Sequence, residues 1–145
     1  MKITADEIRA KVTSIWPDLE YIWLWDKAFW MPPLGAVEGA LKTSNVPTMQ
    51  FIESFCDCDD FALQFVAEVR RKRYMQWASG KLPQDHQFPI SIGRAFGDMF
   101  RGISKVHMAN ICLCQEGVYM LDATPGERRI WEAKPENDNL IYVDM

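Results

Sequence analysis

The strongest constraint in this sequence is a helical repeat near its middle. Phe61, Ala62, Phe65, Val66 and Val69 stand at i, i+1, i+4, i+5 and i+8, which puts one apolar stripe on a helix from Asp59 to about Tyr74. Asp57, Asp59 and Asp60 crowd its start, and Arg70, Arg71, Lys72 and Arg73 crowd its end, both arrangements that the helix macrodipole favours. The basic run reads most simply as a solvated helix end, with a partner-binding patch as the other reading. A helix with one apolar face needs a surface to cover it, and the rest of the chain has to supply that surface.

Residues 78–89, with Gly80, Pro83, Asp85 and Pro89, form a polar loop, after which the pattern turns to β. Strands are predicted near 90–96, 106–114, 118–122, 129–132 and 140–143, with Glu116-Gly117 as a tight hairpin between the second and third. Upstream, Thr4 and Glu7 have capping-box spacing for a helix over 5–14. The aromatic run 21–25 suits a short strand, 26–33 reads as a loop, 34–42 as a short amphipathic helix and 48–55 as a helical turn. Helices first and strands afterwards define an α+β class in one domain, residues 1–145, with a central Cys-bearing helix packed on an antiparallel sheet. Its 145 residues suffice for one core, and 48% hydrophobic residues exclude a disordered chain.

A net charge of −4 without a basic stripe gives no reason to expect a nucleic-acid partner. No stretch approaches the roughly 20 apolar residues of a membrane span, so no membrane partner is expected. The N-terminus opens into a capped helix rather than a signal peptide, which predicts a cytoplasmic protein (host cytoplasm if phage-encoded) whose cysteines stay reduced.

Cys58 is the residue most suited to chemistry. It precedes the central helix, where unpaired backbone N–H groups favour a thiolate. Phe61, Ala62, Phe65 and Val69 follow it at i+3, i+4, i+7 and i+11, so its sulfur tops the buried face. The bland alternative is a small buried hydrophobe. Of the two histidines, His86 lies in the polar loop, whereas His107 begins an apolar strand. Asp122 lies 15 residues after His107 across the hairpin, close enough to fix its tautomer as the orienting acid. Those spacings define a candidate Cys58–His107–Asp122 triad. Gln50, eight residues before Cys58, is a candidate oxyanion donor beside the Cys58 backbone N–H.

The run Asp57-Cys58-Asp59-Asp60-Phe61-Ala62, with His107-x-x-Asn110 and Gly117-Val118-x-x-Leu121-Asp122, resembles the papain-like and transglutaminase-like cysteine protease superfamily. It is similar in particular to the papain-like domain at the C-terminus of the Marasmius oreades agglutinin and in related phage and bacterial proteins. Asp26-x-x-Phe29-x-x-Pro32 adds to that likeness, which spans about Tyr21 to Thr124. The resemblance implies a papain-like core and a cysteine peptidase or amidohydrolase acting through a thioester on peptide or isopeptide-like bonds, with a peptide or protein substrate. It implies no sugar binding. The alternative is a non-catalytic binding or structural phage or prophage protein that keeps the scaffold.

The acids beside the sulfur oppose thiolate formation, since like charge raises a thiol pKa. A divalent cation on Asp57, Asp59 and Asp60 would relieve that conflict, and the resemblance implies Ca²⁺ there. Helix capping is the alternative role for these acids. Cys56, Cys58, Cys112 and Cys114 could in principle form a Cys₄ zinc site, but Cys112 and Cys114 alternate along a strand and read as core.

Overall fold

The computed structural model describes residues 1–145. In chain order the elements are β1 (Lys2–Thr4), α1 (Ala5–Ile15), β2 (Tyr21–Trp23), β3 (Ala28–Trp30), α2 (Leu34–Thr43), a 3₁₀ turn (Val46–Thr48), α3 (Cys58–Ala78), β4 (Ile92–Phe100), β5 (Ile103–Cys114), β6 (Gly117–Asp122), β7 (Arg129–Glu132) and β8 (Asn139–Asp144). The Thr4/Glu7 capping box forms, with the Thr4 N–H donating to Glu7 at 2.7 Å and Glu7 N–H donating to Thr4 Oγ1 at 3.3 Å.

Six strands make one sheet in the order β2-β8-β4-β5-β6-β7, while β1 and β3 form a separate antiparallel pair. β5 shows why both sheet faces are covered. Ala109, Ile111 and Leu113 enter one core with Ile8, Val12 and Phe29, while Cys112 and Cys114 enter another with Phe61, Phe65 and Val69. Strand periodicity sends alternate residues to opposite faces, so a strand apolar at nearly every position must be buried on both. α1 belongs to the first core, and α2 and α3 to the second.

The turn between β4 and β5 uses Arg101 at φ 52° and Gly102 at φ 74°, the left-handed pair of a tight two-residue hairpin. β8 lies so close to β4 that a Cβ on Gly93 would sit 1.8 Å from the Asp144 carbonyl oxygen.

The expected papain-like core, helices on an antiparallel sheet, needs correction. The sheet is mixed, dominates the molecule and is covered on both faces, with only three α-helices. The physical reason lies at the N-terminal half. β2 pairs in parallel with β8, extended by hydrogen bonds from Met145 N–H to Trp23 O (2.8 Å) and Trp25 N–H to Met145 O (2.9 Å). Residues 26–33, expected as loop, contribute β3. The helical turn expected over 48–55 is instead a 3₁₀ turn and a tight loop closed by an Ile52–Cys56 bridge, with Ser54 at φ 62°.

Candidate functional site: a thiol, an imidazole and a carboxylate

α3 begins at Cys58, and the loop before it is fixed by its own polar groups. Ser54 N–H donates to the Asp57 carboxylate at 3.1 Å, and Asp57 N–H donates to Asp60 at 3.2 Å. The first turn of α3 is then clamped to the sheet by Asn110. Its buried amide donates to Ala62 O at 2.8 Å and to Gly93 O at 3.1 Å, joining α3, β5 and β4 through one side chain.

The structure brings Cys58, His107 and Asp122 together. His107 and Asp122 are buried and meet at 2.8 Å, Nε2 to Oδ2. The other Asp122 oxygen accepts from Thr124 N–H at 2.9 Å and Thr124 Oγ1–H at 2.6 Å, so the carboxylate cannot turn away. The His107 ring packs edge-on against Phe100 at 5.6 Å. With Nε2 committed to Asp122, Nδ1 is the nitrogen left for the half-buried Cys58 thiol.

Hydrogen bonding to His107 lowers the Cys58 pKa from its ordinary value. Burial opposes that shift, and the Met108 backbone and the His107 charge add to it. Burial works against a charged His107, but hydrogen bonds to Asp122 and Cys58 outweigh it and raise its pKa to about 9. Burial also opposes an ionised Asp122, yet His107 and Thr124 hold its pKa below the ordinary value. The three shifts act in the same sense, each favouring a thiolate that faces an imidazolium backed by a carboxylate.

Asp57 and Asp59 share a hydrogen bond that lowers the pKa of Asp57 and raises that of Asp59. Asp57, Cys58 and Asp59 bring ligand atoms within 4.8 Å of one another, whereas Asp60 turns back to the Asp57 N–H. Two carboxylates and a soft sulfur do not fit the six to eight oxygens that Ca²⁺ takes. No Cys₄ cluster forms; Cys112 and Cys114 lie buried with their sulfurs 3.7 Å apart. Gln50 is exposed and makes no hydrogen bond to the site.

Sequence reasoning left Asn110 between orienting nearby backbone and merely sitting at a strand edge, and it missed the anchor at Thr124. The latter has a readable signal, since Asp-x-Thr is a local turn in which an aspartate accepts from the backbone two residues on. It also missed the exposed apolar loop ahead of Cys58, in which Phe51, Ile52 and Phe55 face solvent and Phe51 stacks on Phe61.

No family model and no curated protein matches this chain. Solved structures do share its fold. One, described as a PSL1a–E64 complex, superimposes with a TM-score of 0.74 at 18% identity, covering 99% of this chain and 50% of its own. Another, Polyporus squamosus lectin bound to the human-type influenza-binding epitope Neu5Aca2-6Galb1-4GlcNAc, superimposes with a TM-score of 0.70 at 17% identity over 99% of this chain and 49% of that one. Identity this low makes the likeness one of fold, and the chain spans about half the length of each protein it matches.

These matches correct the family expected from the sequence. The fold is shared with a structure described as a lectin and with the PSL1a–E64 complex. The assignments to papain-like and transglutaminase-like proteases, to a cysteine hydrolase and to a peptide or protein substrate are therefore withdrawn. The physical reason is that the motifs around Cys58, His107 and Asp122 specify where three side chains meet. They specify neither a ligand nor a reaction.

Proposed function

We propose that this chain is a binding module whose ligand anchor is the Cys58 thiolate in its ion pair with His107. The observation that carries this reading is the 2.8 Å contact between His107 and Asp122, which orients the imidazole and keeps it protonated beside the thiol. The exposed loop with Phe51, Ile52 and Phe55 would give the apolar part of a ligand its contact surface. The PSL1a–E64 complex supports a ligand site for a small molecule on this scaffold.

Capture of an epoxide illustrates the chemistry. The thiolate attacks a ring carbon, a C–S bond forms as a C–O bond breaks, and His107 supplies the proton that the new alkoxide takes. The product is one stable adduct per chain, not turnover. Incubation with the epoxide E64 followed by intact-mass and peptide mass spectrometry tests this. One adduct on Cys58, lost in Cys58→Ala and slowed in His107→Ala, supports the reading. No adduct, or adducts spread over several cysteines at a rate indifferent to His107→Ala, overturns it.

A second reading, carbohydrate binding, is favoured by a separate observation. Trp23 and Trp25 are 55% and 73% exposed and stack at 6.1 Å, an aromatic platform of the kind on which sugar rings pack. The glycan-bound lectin structure adds to it, although that protein carries as much polypeptide again as this chain. Titration with Neu5Acα2-6Galβ1-4GlcNAc should quench tryptophan fluorescence in the wild type and not in Trp25→Ala. An unchanged signal at millimolar glycan removes this reading.

A further inference from the structure

The far end of α3 holds a cavity of about 290 Å³, separate from the Cys58 site. Arg70 lies twelve residues beyond Cys58, about 18 Å along the helix. Arg70, Arg73, Tyr74 and Trp77 follow helical spacing along one wall, and His86 and Phe88 of the following loop form part of the opposite one. Within the basic run these residues therefore separate by face. Lys72 pairs with Glu68 at 2.7 Å and Arg71 is exposed, while Arg70 and Arg73 line the cavity.

The charge and hydrogen bonding of this cavity are incomplete. Neither Arg70 nor Arg73 forms an ion pair. No acidic residue lines the cavity, in a chain whose net charge is −4. Burial lowers the pKa of both guanidinium groups, and only Arg70 feels any carboxylates, those of Asp26 and Asp144 from outside the cavity. Arg73 is fixed in place by Nε donating to Phe88 O at 2.7 Å and by packing at 5.0 Å over the Trp30 ring. Two buried donors have no partner, Arg70 Nε–H and Trp77 Nε1–H, and both belong to residues lining the cavity. The α3 end does not supply the missing acceptors, because its last carbonyls already accept from Ser79, Gly80 and Lys81. An unpaired buried donor is costly, and these two belong to the lining of a cavity whose guanidinium charges have no counter-ion, so an anionic acceptor suits it.

We propose that this cavity is a binding site for a small carboxylate on a flat, apolar body. The carboxylate would accept from Arg70 and Trp77 under the charge of both arginines. Tyr74, Trp77 and Phe88 would enclose the body. The volume lies at the small end of ligand pockets, which suits an aromatic acid and excludes a polymer. The Arg-rich segment that sequence pattern assigns to solvent thus has a ligand-facing half.

Indole-3-acetate and benzoate are the probes, with indole-3-acetamide and benzamide as neutral isosteres and inorganic phosphate as the bare anion. Binding is read from the indole N–H resonances in ¹H–¹⁵N spectra, with Trp77→Phe assigning the Trp77 signal. The expected result is a saturable shift of that signal by the acids and affinity about tenfold or more weaker for the amides. Arg70→Gln and Arg73→Gln should each weaken the acids about tenfold, and Trp77→Phe, which keeps the wall and loses one donor, by a few fold. Arg70→Lys keeps the charge with less change to the fold and should fall between wild type and Arg70→Gln. Equal affinity for acid and amide, no saturable shift, or phosphate binding as tightly as the aromatic acids overturns the proposal.

Discussion

Replacing Asp122 with Asn tests the geometry of the thiol site with little change of shape. The new side chain can still accept from Thr124 through one oxygen. Its amide, however, would donate to His107 Nε2, leaving the proton on Nδ1, where the ring can no longer take the thiol proton. The rise of His107 from 6.5 to about 9 corresponds to roughly 3 kcal/mol favouring the imidazolium in the folded protein. On an equilibrium scale this is about three-hundredfold. A thiolate of higher pKa is also intrinsically more nucleophilic, with a Brønsted slope of about 0.4–0.5, so roughly half of the logarithmic effect survives in a rate. Cys58 alkylation by iodoacetamide at neutral pH should therefore slow about tenfold in Asp122→Asn. In parallel, the His107 ring, followed by NMR with selectively labelled histidine, should titrate below about 6.5, because burial is then opposed far less. A variant that alkylates at the wild-type rate, with His107 still titrating near 9, refutes the argument.

Other outcomes follow from the same geometry. The folded-state pKa of His107 is raised, so its contribution to stability is complete below about 6.5 and is lost as pH rises through about 9. Asp122 is depressed, so the same coupling is present above 3.8 and is lost as pH falls through its folded value. Chemical denaturation across pH should show a plateau between these limits in the wild type and a flatter profile in His107→Ala. Asn110→Leu should cost roughly 2 kcal/mol or more, because the buried carbonyls of Ala62 and Gly93 lose their donor. Hydrogen exchange should then rise first in the initial turns of α3, and an unchanged exchange pattern would show that the clamp is dispensable. Gly93→Ala should destabilise by several kcal/mol, since backbone stands 1.8 Å from the added carbon and β4 and β8 must separate. A thermal midpoint equal to wild type would contradict that close approach.

Much of the secondary structure was legible because its signals are local. The Thr4/Glu7 cap, the stripe from Phe61 to Val69 and the apolar run of β5 each name their own element. What escaped depends on partners distant in sequence. For β2 only the partner escaped: the run 21–25 reads as a short strand, but its edge comes from β8, some 120 residues later. β3 exists because residues 2–4 pair with it. The stretch 48–55 reads as a helical turn capped by Thr48, but the Ile52–Cys56 bridge overrides local propensity. The meeting of Cys58, His107 and Asp122 was accessible from helix position and hairpin spacing. The identity of a ligand was not, because the same local motif can sit on proteins of unrelated function. Arg70 and Arg73 show the same limit, since only the folded loop at 86–89 turns an exposed basic run into one wall of a cavity.

The central claim is that Cys58 is held as a thiolate by His107, and its ionisation tests that most directly. The difference in ultraviolet thiolate absorbance between wild type and Cys58→Ser, followed across pH, isolates this thiol from the other three; burial moves Cys112 well above the ordinary range. Ionisation of Cys58 clearly below 9.0, shifting upward in His107→Ala, is the predicted result. A Cys58 that ionises at or above 9.0 and ignores the loss of His107 would contradict it.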